Sequence, residues 1–349
     1  MSQTLPWQGP GATGIGSLPG TSSREAARIV RGELAEFMHV PELPARGPGA
    51  DMIGRAGALL VEVSEEFGLQ TTPDGWRLAR GRGRDMRRAR SWMDEDLDAL
   101  EEFGQGYRGP LKCQVAGPWT LAASIELPSG ERMLRDGSSC RDLAEALGEG
   151  IAGYLADLRR RFPDAALLVQ VDEPGLPAVL AGTIGTASGL SRYRAVEPRI
   201  AAEALRTVLA AGTQAGALAG VHCCARRPPI GLLRTCAAGF LSIDLRGGDV
   251  DEEALGGAWE AGVGLLLGAV PTDRSVSHAQ ASAPVRELAS RLGLADPRHL
   301  ANIAVTPTCG LAGATPSGAV AAYAACRAAG RILRDDRADT GPDDGEGEG

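Results

Sequence analysis

Short apolar runs along the chain alternate with longer stretches in which apolar positions recur every three or four residues. The plainest runs cover residues 111–116, 166–171, 217–222, 240–244, 262–269 and 302–306. Their hydrophobicity is continuous rather than alternating, as in strands of a parallel sheet buried on both faces. Helical patterns lie between them. Leu143, Leu147, Ile151, Tyr154, Leu155 and Leu158 fall on one helix face, as do Ala201, Ala204, Leu205 and Val208, and residues 317–333 follow Pro316 as an Ala-rich helix. A strand over 12–17 before a helix over 23–37, and another near 37–40, bring the count to about eight strand–helix units, the number in a closed (β/α)8 barrel. An open doubly wound sheet is the alternative. Residues 41–109 carry no clear period and read as an insertion early in the chain, and the Arg-rich stretch 77–90 reads as a solvated loop. The expected organisation is therefore an α/β protein with one TIM-type barrel over 1–334 and a disordered acidic tail over 335–349.

Composition narrows the partners. Of the net charge of −8, −6 falls in the tail from Asp335 onward, so the barrel has no basic excess to attract nucleic acid. The longest apolar stretch, 263–270, is far too short to cross a bilayer, and the N-terminus has no basic start followed by an apolar run. A cytoplasmic protein with neither membrane nor nucleic-acid partners is expected. Its seven cysteines are an odd number without a dense framework, which favours free or metal-bound thiols over disulfides. Among 36 basic residues, Lys112 is the single lysine.

In such a barrel, function sits where strands end. Ser17, Asp172 with Glu173, His222 with Cys224, Asp244, Asp273 and Cys309 all fall there. Alternation along a strand turns His222 and Cys224 to one side and Cys223 to the other. Imidazole and thiolate suit Zn2+, which takes about four nitrogen, sulfur or oxygen ligands, and Asp244 and Cys309 would complete that set. The plain alternatives are a cysteine packed as a small hydrophobe, an N-cap acid at Asp244 and a buried thiol before a glycine turn at Cys309. Asp172 suits a substrate ammonium and Glu173 neighbouring backbone or arginine groups, although a structural acid pair closing the rim is equally consistent. As a hydrolase acid and base the two would face opposite sides, which argues against that chemistry. The Gly-rich run 11–17 is not followed by Lys-Ser/Thr and fails as a phosphate loop.

Six segments in order, Ile15-Gly-Ser-Leu-Pro, Ala116-Gly-Pro-Trp-Thr, Gln170-Val-Asp-Glu-Pro, His222-Cys-Cys, Leu241-Ser-Ile-Asp and Thr306-Pro-Thr-Cys-Gly-Leu, resemble the C-terminal catalytic barrel of cobalamin-independent methionine synthase. The resemblance implies zinc held by His222, Cys224 and Cys309, with Asp244 where the family has Glu. It implies a homocysteine carboxylate at Ile15, Gly16 and Ser17, its amino group at Asp172, and methyl transfer to its thiol to form methionine. Departures accompany it. The family's N-terminal barrel is missing, its folate-stacking Trp falls on Ser124 and its folate-binding Glu on Ala178. Its Gly-Glu-Pro segment corresponds to Arg46-Gly-Pro-Gly without the Glu, and its proton-donating His to Asp273. Methyltetrahydrofolate is the donor the family implies, and a methylated corrinoid protein or small methyl compound is the alternative. The other readings are methyl or alkyl transfer to a different thiol, and a non-catalytic zinc- or thiol-binding barrel.

Overall fold

The computed structural model describes residues 5–339. Eight parallel strands form its main sheet: β1 (Gly11–Ala12), β2 (Met38–His39), β3 (Pro110–Ala116), β4 (Ala166–Asp172), β5 (Leu218–Cys223), β6 (Phe240–Asp244), β7 (Gly264–Val270) and β8 (Ile303–Pro307). They are hydrogen-bonded in the order β1-β8-β7-β6-β5-β4-β3-β2. The ring closes beyond the ends of β1 and β2. There Ser17 pairs in parallel with Glu42, Leu18 N–H donates to Glu42 O (2.8 Å) and Glu42 N–H donates to Gly16 O (3.1 Å). This is the TIM-type α/β barrel expected from the strand count.

Strand parity sorts the two faces. Leu167, Val169, Val171, Val221, Leu241, Ile243, Leu265, Leu267, Ile303 and Val305 point outward into the shell of helices. Leu168, Leu218, Phe240, Leu266 and Ala304 point inward and form an apolar floor with Phe37 and Trp7, whose rings stack at 5.4 Å. Further along five of these strands the inward positions turn polar: Lys112 and Gln114 on β3, Gln170 and Asp172 on β4, His222 on β5, Ser242 on β6 and Thr306 on β8, all buried. A dry floor beneath a polar upper layer directs chemistry to the C-terminal mouth.

The early elements differ from their expected bounds. β1 stops at Ala12, because residues 13–18 leave the sheet to meet the loop after β2. The helix expected over 23–37 ends at Glu33, since the chain must turn before β2. The stretch 77–90 is not a loop: Gly75–Ala79 is a strand and Arg84–Phe103 a helix. That helix buries Met86, Ala89, Met93, Leu97 and Leu100 at helical spacing, while its arginines lie on the outer side. The insertion also holds the helix Met52–Val63, capped by Asp51 accepting from Ile53 and Gly54 N–H (both 3.0 Å). An antiparallel hairpin, Gly68–Thr72 with Gly75–Ala79, is extended by Ile125–Glu126. The last helix, Pro316–Asp339, runs past the expected end of the barrel at Arg334. The rest of the acidic tail, 340–349, lies outside the described residues.

Candidate metal and amino-acid site

β5 brings His222 and Cys224 to the mouth on the same side, and the loop after β8 brings Cys309 across to them. One ligand atom from each lies within 4.8 Å of the other two. The sulfurs of Cys224 and Cys309 are 3.3 Å apart. Two thiols so close share a proton, and the Cys224 thiol holds Cys309 well below the usual thiol range. Cys223 points the other way and is fully buried.

His222 is oriented from behind. Its Nδ1 lies 2.9 Å from Ser242 Oγ and 3.2 Å from Ser242 O, so Nδ1 carries the proton toward that carbonyl. Nε2 is buried without a hydrogen-bond partner. A buried imidazole lone pair facing two sulfurs has the chemistry of a soft divalent-metal site, with Ser242 fixing the tautomer. Asp244 stands apart from this group of three. Its carboxylate accepts from Arg246 N–H (2.7 Å) and, half-buried, is shifted above the usual carboxylate range by burial.

The residues expected to hold an amino acid lie next to these. Asp172 is buried at the end of β4, beside His222 in the sheet register, and accepts from Gln170 Nε2 (2.7 Å). Burial raises it to about 7. Glu173 faces away. It accepts from Trp119 N–H (2.9 Å), Thr120 N–H (2.8 Å) and Thr120 Oγ (2.7 Å), tying down the turn after β3. Ile15 and Gly16 are buried between β1 and β3, and Ser17 O accepts from Leu311 N–H (2.8 Å), linking this loop to the one that carries Cys309.

Asp273 is exposed on the rim and pairs with its neighbour Arg274 at 3.3 Å. Ser124 ends one short helix and Ala178 lies in the middle of another, and they offer neither a stacking ring nor a carboxylate. Arg46 points into the insertion, toward Asp96 (2.9 Å). A buried carboxylate sits instead on Glu42, whose backbone pairs with Ser17 and whose side chain pairs with Arg55 at 3.1 Å. Burial raises it above the usual range. Glu42 sits between Pro41 and Pro44 in the stretch with no readable period. Lys112, hidden in an apolar run, was equally unmarked as a site residue, although a lone charge at an inward position was a usable signal.

Comparison with known proteins places this arrangement. No protein-family profile and no curated protein matches the chain. A solved B12-independent methionine synthase from Shewanella sp. W3-18-1, in complex with selenomethionine, superposes with a TM-score of 0.62 at 12% identity. The match covers 95% of this chain and 99% of that one. The likeness is one of fold. A GH5_18 protein from Streptomyces cattleya in complex with Manb1-4GlcNAc matches with a TM-score of 0.43 at 16% identity, over 95% of this chain and 82% of the other. Among the described residues, no helix is long and apolar enough to cross a membrane.

Proposed function

We propose that this barrel is a zinc-dependent S-methyltransferase that methylates the thiol of homocysteine to give methionine. One observation carries the reading: a buried, unpartnered imidazole nitrogen converges with two cysteine sulfurs at the barrel mouth. Beside it lies the buried carboxylate of Asp172, and Glu42 adds a second buried acid, both suited to an amino-acid ammonium, in a fold shared with a methionine synthase.

His222, Cys224 and Cys309 would hold the zinc. Bound there, it supplies a Lewis acid that keeps an incoming thiol ionised at neutral pH. Asp244, one methylene shorter than Glu and engaged with the Arg246 backbone, is the candidate fourth ligand of the resemblance. Asp172 and Glu42 receive the substrate ammonium, and the 15–17 loop receives its carboxylate. Held so, the sulfur lone pair forms the new S–C bond in line with the breaking bond to the donor, whose electron pair stays with the donor's leaving atom. Asp273 is not carried into this scheme, because its carboxylate is exposed on the rim and engaged by the adjacent Arg274. Methyltetrahydrofolate is the donor by resemblance. Ser124 and Ala178, which offer no ring and no acid, favour a methylated corrinoid protein as the second reading.

Metal analysis of the purified protein tests the core claim. About one zinc per chain is expected, and His222→Ala or Cys309→Ala should lose it. Turnover of homocysteine with methyltetrahydrofolate against methylcobalamin then separates the donors. Protein that takes up no zinc under saturating conditions, with its fold intact, overturns the reading.

A further inference from the structure

The only lysine of this chain is buried to zero exposure inside the barrel. Burying an ammonium is costly unless strong partners compensate for lost water, so its partners deserve an account. Lys112 Nζ donates to Ile15 O at 2.7 Å and to Gln114 Oε1 at 3.3 Å. Both acceptors are neutral. Asp172 and Glu42 act on its charge, and among the described residues neither hydrogen-bonds to it. An ordinary structural ion pair would put a carboxylate on the ammonium. Here the ammonium holds a backbone carbonyl, while Asp172 bonds Gln170 and Glu42 pairs with Arg55.

That carbonyl belongs to the loop assigned to the substrate carboxylate. In a trans peptide, C=O and N–H point in opposite directions. A carbonyl of Ile15 drawn inward by Lys112 and by Gln170 Nε2 (3.1 Å) aims the Gly16 N–H away from the barrel interior. Gln114, the other partner of Lys112, spans to Val40 O (2.8 Å), the residue before the loop that carries Glu42. It also packs so tightly under Gly16 that a Cβ there would come within 2.7 Å of its side chain. Gln170 in turn bonds Asp172. One buried cation is thus joined by one hydrogen bond to the 15–17 loop, by two to the segment leading to Glu42 and by three to Asp172.

We propose that Lys112 is a positioning residue for the zwitterionic head of an α-amino acid. It orients the Gly16 amide toward the ligand carboxylate and, from behind, keeps the ammonium-binding acids in place. The inference rests on the amino-acid thiol reading above, and its ligand class is an α-amino acid with both head groups intact.

Lysine labelled with 13C at Cε gives this protein a single lysine resonance. Titrating zinc-loaded, tag-free protein with L-methionine is expected to shift that resonance saturably, with the midpoint found by calorimetry. The decarboxylated analogue 3-(methylthio)propylamine should leave it nearly unmoved. Lys112→Met should keep the zinc stoichiometry of wild type while weakening L-methionine by about ten-fold or more, the scale of a lost charge-assisted contact. A resonance that stays fixed at methionine saturation overturns the proposal, as does a Lys112→Met affinity within about two-fold of wild type. If Lys112→Met does not fold, the wild-type titration decides alone. Zinc-loaded wild type that binds neither methionine nor homocysteine overturns the amino-acid thiol reading and this inference together. Binding without any lysine response overturns only the inference.

Discussion

The strands from β4 to β8 and the join between β1 and β2 belong to one ring but are built differently, and each carries a different half of the candidate site. From β4 to β8 the register is regular up to a shift after Gly268 between β7 and β8, each inward residue facing an inward residue on the next strand, as Asp172 faces His222 and His222 faces Ser242. The metal donors there follow from strand parity. β1 and β2 are two residues each and do not pair with one another; two backbone hydrogen bonds, which pair Ser17 with Glu42, close the ring. The proposed amino-acid half takes Asp172 from the sheet and otherwise depends on side chains filling that gap: Lys112, Gln114 and Glu42, with His39 and Tyr323 joined at 2.8 Å beside them. A regular sheet holds the proposed metal ligands His222 and Cys224, and a seam of polar contacts holds the loop proposed to receive the substrate head.

One substitution made in both regions breaks this comparison if it is wrong. Gly220 lies inward on β5 between Leu218 and His222, and a Cβ there would run into the Phe240 ring and the Phe240 carbonyl. Backbone on a regular strand has nowhere to go. Gly220→Ala should cost about 3 kcal/mol or more, read by denaturant unfolding, and release zinc as β5 shifts away from β6. A loss below about 1 kcal/mol would show that the sheet yields as easily as the seam.

Acid titration probes the seam next. Burial drives His39 down from 6.5 to about 3, so it is neutral in the folded chain at neutral pH. The unfolded chain takes up the proton first, and the stability held by neutral His39 is lost as pH falls from 6.5 toward 3. Between pH 6.5 and about pH 5 the wild type should lose about 2 kcal/mol more than a His39→Gln variant. Equal pH dependence in the two proteins would place the acid sensitivity elsewhere.

Gly16→Ala is the seam counterpart of the first change. Its Cβ would meet the Gln114 side chain at 2.7–2.9 Å, and a glutamine can rotate where a strand backbone cannot. Stability should fall by about 1 kcal/mol, with zinc retained, while L-methionine affinity drops about ten-fold. Loss of zinc here would mean that the two halves are not separable.

How much of this was legible in the sequence follows the same division. Residues 166–171, 240–244 and 302–306 gave their strands to within a residue or two, because burial on both faces leaves an unbroken apolar run. Parity then placed His222, Cys224 and Asp172 on one side. The seam had no such signal. Glycines at 14 and 16 break the period of the first strand, and prolines at 41 and 44 enclose Glu42. The helix Arg84–Phe103 hid behind its arginines because mean polarity obscured the spacing of Met86, Met93 and Leu97. Lys112 was missed because its outward neighbours Leu111 and Cys113 make the run read as apolar.

The smallest effect belongs to Asp273, the rim carboxylate that stands where the resembled family has a proton-donating histidine. It is exposed, its contact is the adjacent Arg274, and it belongs neither to the regular sheet interior nor to the seam. Exposed pairs of this kind contribute about 0–1 kcal/mol. Asp273→Asn should leave zinc content and methionine affinity unchanged and turnover within about two-fold. A fall of ten-fold or more in turnover, with both binding measurements intact, would bring the loop after β7 into the reaction and add a third region to the two compared here.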